Sequence, residues 1–227
     1  MQILTVTAVL LISYLLGAIP FGVIIVRLKS GKDVRRVESG RTGGTNAMRA
    51  AGFWAGFFTA VLDFLKGTAS VWLVRGLASI QIVPTTPWLE ILAPVLAVVG
   101  HNYSIFLLER VDGGRFKIGG GAGGAPTTGG AMGLWAPSFL FILPVGIVVL
   151  FGVGYASLAT ISVALSATLL FAYRAWTSAS PWQYIFYGLF TGGLLIWALR
   201  PNLKRLVNGT ERLVGWRARF RRNPQTN

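Results

Sequence analysis

Apolar residues along the chain come in long blocks rather than at the spacing of an amphipathic helix. Most of these blocks reach or approach the ~20 residues that a helix needs to cross the ~30 Å hydrocarbon core of a bilayer. The pattern therefore predicts an all-α polytopic membrane protein with a single transmembrane domain over 1–202. The five blocks lie at 3–26, 53–74, 88–108, 134–173 and 184–199.

The block at 134–173 is too long for one span and predicts two helices that are separated at Gly152–Ser157. The basic residues up to Lys117 and from Arg200 onward can lie on the same side only if the chain crosses the membrane an even number of times between them, so one more crossing is needed. The candidate is a short helix from about Gly123 to Trp135, which ends before Pro137 because proline disfavours helical backbone in the residue before it. The chain is thus predicted to form about seven transmembrane helices, some of them short, with five full spans as the alternative.

The distribution of charge predicts the orientation of these helices. Only 12% of the 227 residues are charged, but Lys and Arg outnumber Asp and Glu by 21 to 7. Eighteen of the basic residues fall within 27–49, 110–117 and 200–222. Positively charged loops stay in the cytoplasm. No basic residue precedes Arg27. We therefore expect an inner-membrane protein with its N-terminus outside, its active surface and C-terminus facing the cytoplasm, and no nucleic-acid partner.

Several classes of site are excluded by composition. The chain has no cysteine and one histidine, so a disulfide framework, a thiolate nucleophile and a multi-histidine metal centre are ruled out. Its seven acidic residues are scattered along the chain, unlike the ligands of a hard cation. No metal and no cofactor are expected. The first block has neither a basic stretch before it nor an Ala-x-Ala site after it, which predicts a transmembrane helix rather than a signal peptide.

The segment 203–227 is predicted to be a cytoplasmic, basic, amphipathic tail. Apolar residues at helical spacing alternate there with basic ones, which is typical of a helix lying on an anionic membrane surface. Membrane lipids are the expected partners. The apolar positions are Leu203, Leu206, Val207, Leu213, Val214, Trp216 and Phe220, and the basic ones are Lys204, Arg205, Arg212 and Arg217.

Two loops combine glycine with groups that bind anions. The first, Val37–Arg49, is either a phosphate site or a polar turn, and its candidate ligands are Ser39, Arg41, Thr45, Asn46 and Arg49. The second has nine glycines between Gly113 and Gly130 and precedes a predicted helix N-terminus, a common phosphate-binding arrangement. It lacks the Gly-Lys-Ser/Thr of a Walker A sequence, and a flexible linker is the alternative. Its candidates are Arg115, Lys117, Gly119, Gly120, Gly121, Gly123 and Gly124.

Polar residues at helix ends complete the set of candidates. His101 and Ser104 lie at the end of the third block, and polar groups in such helices tend to line a cavity or a site. Asp63 and Lys66 are three residues apart, which predicts an internal ion pair. Lys66 is also a candidate ligand of the substrate. After the last block, Asn202, Arg205 and Glu211 could close over the two loops.

These segments together resemble the bacterial acyl-phosphate:glycerol-3-phosphate acyltransferase family, often called PlsY, along nearly the whole chain. The matching motifs are Gly17-Ala-Ile-Pro-Phe-Gly22, Lys32-Asp-Val-Arg35, Ser39-Gly-Arg-Thr-Gly-Gly-Thr-Asn46, Leu62-Asp-Phe-Leu-Lys-Gly67, Gly100-His101, Tyr155-x-Ser-Leu-Ala159 and Asn202-x-x-Arg-Leu-x-x-Gly-x-Glu211. Two places depart from the family pattern. The family's Gly-Gly-Lys-Gly-Val-Ala-Thr is replaced by the longer run 113–127, in which the basic residues Arg115 and Lys117 precede the glycines, and the asparagine of its Ser-Gly-Asn is replaced by Arg41.

The resemblance implies transfer of an acyl chain from acyl phosphate to the 1-hydroxyl of glycerol 3-phosphate, which gives lysophosphatidic acid. It implies that glycerol 3-phosphate binds near Ser39, Asn46, Arg49, His101 and Asn202, and the donor phosphate on the glycine-rich loop, with Ser39 and His101 as catalytic candidates. The proton goes either to His101 or to the donor's own phosphate. An upstream enzyme that forms acyl phosphate is the implied protein partner.

Three other classes of protein fit the sequence less well. A small membrane transporter of an anion or lipid would also have apolar helices and basic loops. Such a transporter should carry polar groups near the bilayer midplane and often an internal repeat, whereas the polar motifs here gather at predicted cytoplasmic helix ends. A structural scaffold would not need the glycine-rich loop. The His-x4-Asp acyltransferases are excluded because Phe106 stands where their aspartate would be.

Overall fold

The structure, a computed structural model, describes residues 2–214 and is all-helical apart from one small hairpin. Two short strands, β1 Leu108–Arg110 and β2 Phe116–Ile118, pair antiparallel. Within the described residues there are nine α-helices: α1 Gln2–Ala18, α2 Phe21–Ser30, α3 Gly44–Ala51, α4 Phe53–Ser79, α5 Pro87–Asn102, α6 Gly124–Leu134, α7 Ser138–Val148, α8 Ala156–Trp176 and α9 Tyr184–Val207.

The helices follow the predicted apolar blocks closely. By length and composition, four helical segments among the described residues could cross a membrane: Gln2–Ser30, Phe53–Ser79, Pro87–Leu107 and Ala156–Trp176. The predicted split of 134–173 is confirmed, since α7 runs into a π-helical turn at Val149–Val153 and α8 begins at Ala156. The short helix expected near 123–135 is confirmed as α6.

The outer and inner faces of the helices have the polarity expected inside a bilayer. Large apolar side chains such as Leu11, Trp72 and Leu169 are exposed on the outer faces of α1, α4 and α8. Polar side chains such as Ser13 and Thr68 are fully buried between helices. A water-soluble protein seldom exposes contiguous apolar surface of this extent, so the outer surface is suited to lipid.

The first apolar block is one segment in sequence but two helices in the structure. Pro20 has no N–H to donate and interrupts the helical ladder between α1 and α2. The carbonyl of Ile19, at this break, accepts a hydrogen bond from Lys66 Nζ at 3.1 Å. The break thus provides a partner for a lysine that is buried in the neighbouring helix α4.

The short helix α6 lies inside the bundle and is buried along almost its whole length. It contacts α4 backbone to backbone: a Cβ added at Gly129 would lie 1.8 Å from Phe64 O, and one at Gly67 would lie 2.1 Å from Pro126 O. Thr68 Oγ1 also donates to Gly129 O at 2.8 Å. Small residues and interhelical hydrogen bonds of this kind hold membrane helices together.

The helix predicted for the tail is wrong for residues 208–214, and its part beyond 214 lies outside the described residues. Helix α9 ends at Val207, Gly209 has a φ of 67°, and residues 210–214 are not helical. The backbone N–H of Val214 donates to Gly154 O at 2.8 Å, so the chain turns back towards the start of α8. This return brings Glu211 into a buried position. The predicted positions Trp216, Arg217 and Phe220 lie outside the described residues.

Candidate active site

A cavity of about 590 Å³ opens where the first loop, the N-terminus of α6 and the segment after α9 meet. These three segments are far apart in sequence, so the fold has brought the predicted polar motifs together. The predicted site residues that line this cavity are Ser39, Arg41, Thr45, Asn46, Arg49, His101, Gly123, Gly124, Asn202, Arg205 and Glu211.

Seven predicted ligands lie outside this cavity. Ser104 is buried and donates to Ala18 O at 2.5 Å, and Lys66 is bound to Asp63 and Ile19 O, so both serve helix packing. Arg115 is exposed at the β-hairpin, and Gly121 packs against His101. The other three, Lys117, Gly119 and Gly120, line a second cavity of about 470 Å³, which shares Ser39 and Arg41 with the main one.

The first loop is held in shape by its own side chains. The Asn46 amide nitrogen donates to the carbonyls of Val34, Val37 and Arg41 at 3.0, 2.9 and 2.8 Å. Asp33 accepts hydrogen bonds from the Arg35 backbone and side chain, and this pairing holds the pKa of Asp33 below its usual value. Asn46 lines the cavity, but its amide N–H groups are hydrogen-bonded to carbonyls of the loop. Its main effect is therefore to fix the position of the residues around it.

Two arginines in the cavity have side-chain N–H groups that form no hydrogen bond with the described residues. Among residues 2–214, neither the Arg49 nor the Arg205 guanidinium donates a hydrogen bond to another residue. Burial lowers the pKa of Arg49, and the negative charge of Glu211 opposes this effect. A guanidinium carries five N–H donors in a fork that suits phosphate and carboxylate. Both side chains are therefore available to an anionic ligand.

His101 is oriented by an aspartate on the neighbouring helix. Asp63 Oδ1 lies 2.9 Å from Lys66 Nζ and 3.5 Å from His101 Nδ1, and all three side chains are buried. A Cβ on Gly121 would lie 1.9 Å from His101 Nε2, so only glycine fits against the imidazole. The predicted Asp63–Lys66 ion pair is confirmed. That Asp63 also contacts His101 and lines the cavity was missed, because nothing in the sequence indicates this contact between α4 and α5.

The returning segment closes the opposite wall. The buried Glu211 carboxylate accepts a hydrogen bond from Ser157 Oγ at 2.7 Å and another from Asn202 Nδ2 at 3.2 Å. Arg212 forms an ion pair with Glu38, which connects this segment to the first loop. Ser157 was missed as a site residue, although its motif between Tyr155 and Ala159 was a signal.

The N-terminus of α6 faces the same cavity. The first N–H groups of an α-helix have no partner within the helix, and together with the helix dipole they attract anions. Gly124 and Ala125, the first two residues of α6, lie in the cavity wall. The cavity therefore combines a helix N-terminus with arginines from two other segments, which suits a ligand with more than one phosphate or a pair of phosphorylated ligands.

Comparisons with known proteins agree with this site chemistry. A sequence model described as glycerol-3-phosphate acyltransferase matches residues 7–209. Glycerol-3-phosphate acyltransferase 2 of Moorella thermoacetica is 37% identical over 92% of this chain and 97% of its own length. The enzyme of Rubrobacter xylanophilus is 36% identical over 92% of this chain and 94% of its own length.

Solved structures of an integral membrane glycerol 3-phosphate acyltransferase, PlsY, have the same fold. Its glycerol 3-phosphate form aligns with a TM-score of 0.75 and 31% identity over 92% of this chain and 96% of that one. Its lysophosphatidic acid form aligns with a TM-score of 0.73 and 30% identity over 92% and 95%. Because the family match spans most of the chain, this protein belongs to the glycerol-3-phosphate acyltransferase family.

Proposed function

We propose that the protein transfers an acyl chain from acyl phosphate to the 1-hydroxyl of glycerol 3-phosphate and releases lysophosphatidic acid and inorganic phosphate. The observation that carries this proposal is the single cavity in which Arg49, Arg205 and the N-terminus of α6 meet. Two anion-binding elements in one cavity suit a reaction between two phosphorylated substrates. The PlsY structures with glycerol 3-phosphate and with lysophosphatidic acid support the identities of the acceptor and the product.

Each end of the cavity is assigned to one substrate. Glycerol 3-phosphate lies against Arg49 and Asn202, with Ser39 and Thr45 within reach on the first loop. The phosphate of the donor lies at the N-terminus of α6, on the side of Gly123. This arrangement leaves the acyl chain on the apolar wall, where Phe57, Ile147 and Phe151 line the cavity.

The reaction needs positioning and charge stabilisation more than a covalent intermediate. The acceptor hydroxyl oxygen attacks the acyl carbonyl carbon and forms a tetrahedral intermediate with a negatively charged oxygen. The carbonyl then re-forms as the bond between the carbon and the phosphate oxygen breaks. The hydroxyl proton moves either to His101 or to the leaving phosphate. Holding both substrates in place accounts for much of the acceleration, and donors that face the carbonyl oxygen add to it.

A direct assay tests this function. Purified protein in detergent is given radiolabelled glycerol 3-phosphate together with either palmitoyl phosphate or palmitoyl-CoA. Labelled lysophosphatidic acid should form with palmitoyl phosphate and not with palmitoyl-CoA. Product from the CoA ester alone would overturn the choice of donor, and no product from either would overturn the function.

We further propose seven crossings of an inner membrane, with the N-terminus outside and the cavity facing the cytoplasm. The basic clusters at 27–49, 110–117 and 200–222 support this orientation through the positive-inside rule. The chain has no cysteine, so single cysteines can be introduced directly. Arg115→Cys and Asn208→Cys should react with an impermeant thiol reagent only after lysis, and Thr177→Cys should react in intact cells. Labelling at 208 in intact cells would contradict this orientation.

A further inference from the structure

The cations of the glycine-rich loop, Arg115 and Lys117, come before the part of the loop that forms one wall of the cavity. From Gly119 to Trp135 the chain contains no Lys, Arg or His. The corresponding family motif carries a lysine there, and the family's first-loop motif has an asparagine where this chain has Arg41. The two departures are opposite in charge: one segment lacks a cation and the other has gained one.

Arg41 reaches from the first loop to that glycine-rich segment. Its Nη1 donates to Gly121 O at 2.8 Å, and its Nη2 donates to Ala198 O in α9. Arg41 lines the main cavity together with Ala122, Gly123 and Gly124. The guanidinium is therefore fixed beside the start of α6, although its Cα belongs to a different loop.

The positive charge of Arg41 has no anionic partner in the part of the chain that is described. Among the side chains that the structure describes, no carboxylate forms an ion pair with Arg41. Burial lowers the pKa of Arg41, the nearby Tyr103 opposes this effect, and the positive charge of Arg205 lowers the pKa further. A partly buried charge without a counter-charge is energetically unfavourable. The two carbonyl contacts use two of the five N–H donors of the Arg41 guanidinium, so three remain for a ligand.

A second group beside the same turn also lacks a partner. The Asn102 side chain is 5% exposed, and neither its Oδ1 nor its Nδ2 has a hydrogen-bond partner among the described residues. A Cβ on Gly123 would lie 2.8 Å from Asn102 Oδ1, so this amide is next to the residue that precedes α6. An unpaired buried amide and an unneutralised guanidinium thus flank the same helix N-terminus.

We propose that Arg41 supplies the positive charge for the phosphate of the acyl donor, in place of a lysine on the glycine-rich segment. This inference rests on the proposed function and concerns only how the donor is held. Arg41 then binds the donor phosphate at α6, whereas Arg49 binds the phosphate of glycerol 3-phosphate.

Moving the charge back to the glycine-rich segment tests the proposal. Arg41→Asn should raise the KM for palmitoyl phosphate about tenfold to hundredfold, the range expected for a charge-assisted contact. The KM for glycerol 3-phosphate should change less than about threefold. Adding Ala122→Lys to Arg41→Asn should restore most of the donor affinity. Position 122 is chosen because Gly123 has a φ of 90°, a conformation that lysine rarely adopts.

Two further variants separate this role from a purely structural one. Arg41→Lys keeps the charge but not the fork that holds Gly121 O and Ala198 O, so it should retain donor affinity within about threefold. Arg36→Asn removes an exposed cation that lines only the second cavity, and should leave both constants unchanged. The apparent melting temperature of each variant in detergent reports whether it is folded.

The proposal is overturned if Arg41→Asn leaves the donor KM unchanged. It is also overturned if Arg41→Lys is as defective as Arg41→Asn and Ala122→Lys restores nothing, because Arg41 would then act only as a clamp between backbone segments. Failure of the inference is distinct from failure of the proposed function. An unaltered protein that does not use palmitoyl phosphate refutes the function, whereas an active one with indifferent Arg41 variants refutes only the inference.

Discussion

The two ends of helix α6 differ in whether the nearby charged side chains have partners within the protein. At its C-terminus, Arg75 donates to Gly133 O at 2.8 Å and Leu134 O at 3.0 Å, and its Nε and Nη2 contact Glu90 Oε2 at 2.9 and 2.7 Å. Tyr184 Oη donates to the same carboxylate at 2.7 Å. Every charge in this cluster has a partner within the protein.

At the N-terminus of α6 three arginines of the cavity lack a charged partner among the described residues. Arg49 and Arg205 make no side-chain hydrogen bonds among the described residues, and Arg41 has carbonyl contacts but no counter-charge there. The contrast supports the proposal that contacts within the protein stabilise one end, whereas the other end binds a ligand. Substitutions at the Arg75 end should lower stability and spare substrate binding, and those at the cavity end should do the reverse.

The largest expected effect is on catalysis at the cavity end. If His101 accepts the hydroxyl proton, His101→Gln should lower kcat by about 100-fold or more with small changes in either KM, since a positioned general base contributes roughly 10²–10⁴-fold. Initial rates with palmitoyl phosphate and glycerol 3-phosphate measure this. A kcat within about threefold of the unaltered protein would show that the leaving phosphate takes the proton.

Acceptor binding should depend next most strongly on Arg49. Arg49→Lys keeps the charge but loses the guanidinium fork, and should raise the KM for glycerol 3-phosphate about tenfold, with Arg49→Ala nearer a hundredfold. The KM for the donor should change little in both. Arg110→Lys, at an exposed arginine of the β-hairpin, is the matched control. If Arg49→Ala has unchanged kinetics and normal insertion, Arg49 does not bind the acceptor.

The predictability of the fold differed along the chain for physical reasons. The apolar blocks indicated the helices, and Pro137 with the charge pattern indicated α6. The break at Pro20 was missed because the apolar run continues across it. The return after α9 was missed because Leu213 and Val214 suit an amphipathic helix as well as an extended segment that packs on α8.

Residues of the candidate site could be predicted from the sequence where they belong to local motifs. Contacts between residues on different helices could not be predicted in this way. Arg49, Asn202 and Glu211 were found from local patterns and line the cavity. Ser104 was also chosen from local patterns, yet its hydroxyl is used for packing between α1 and the end of α5. The contact between Asp63 and His101 joins two helices, and no spacing within either helix reveals it.

A smaller effect is expected at the opposite end, and on stability alone. Arg75→Met removes the partner of Glu90 and the cap of the α6 carbonyls, which should cost about 1–3 kcal/mol. For a chain of this size that is a fall of roughly 3–10 °C in the apparent melting temperature in detergent. Both KM values should stay within about twofold. A large rise in either KM without loss of stability would break the contrast between the two ends.

No effect is expected from removing divalent metals. The side chains that the structure describes include no group of three His, Asp or Glu residues that could hold a metal ion, and both phosphates are assigned to arginines and backbone N–H groups. Turnover in excess EDTA should therefore stay within about twofold of that with added magnesium. A loss of activity that magnesium restores would mean that a metal holds one of the phosphates.

The most direct test of the contrast is the thermal shift that glycerol 3-phosphate produces in three proteins. A ligand at about 100 times its Kd stabilises the folded state by about 2.7 kcal/mol. The apparent melting temperature of the unaltered protein and of Arg75→Met should therefore rise by several degrees at that concentration, and that of Arg49→Ala should not. An equal rise in all three proteins would contradict the claim that the unpaired arginines of the cavity are there to bind substrate phosphate.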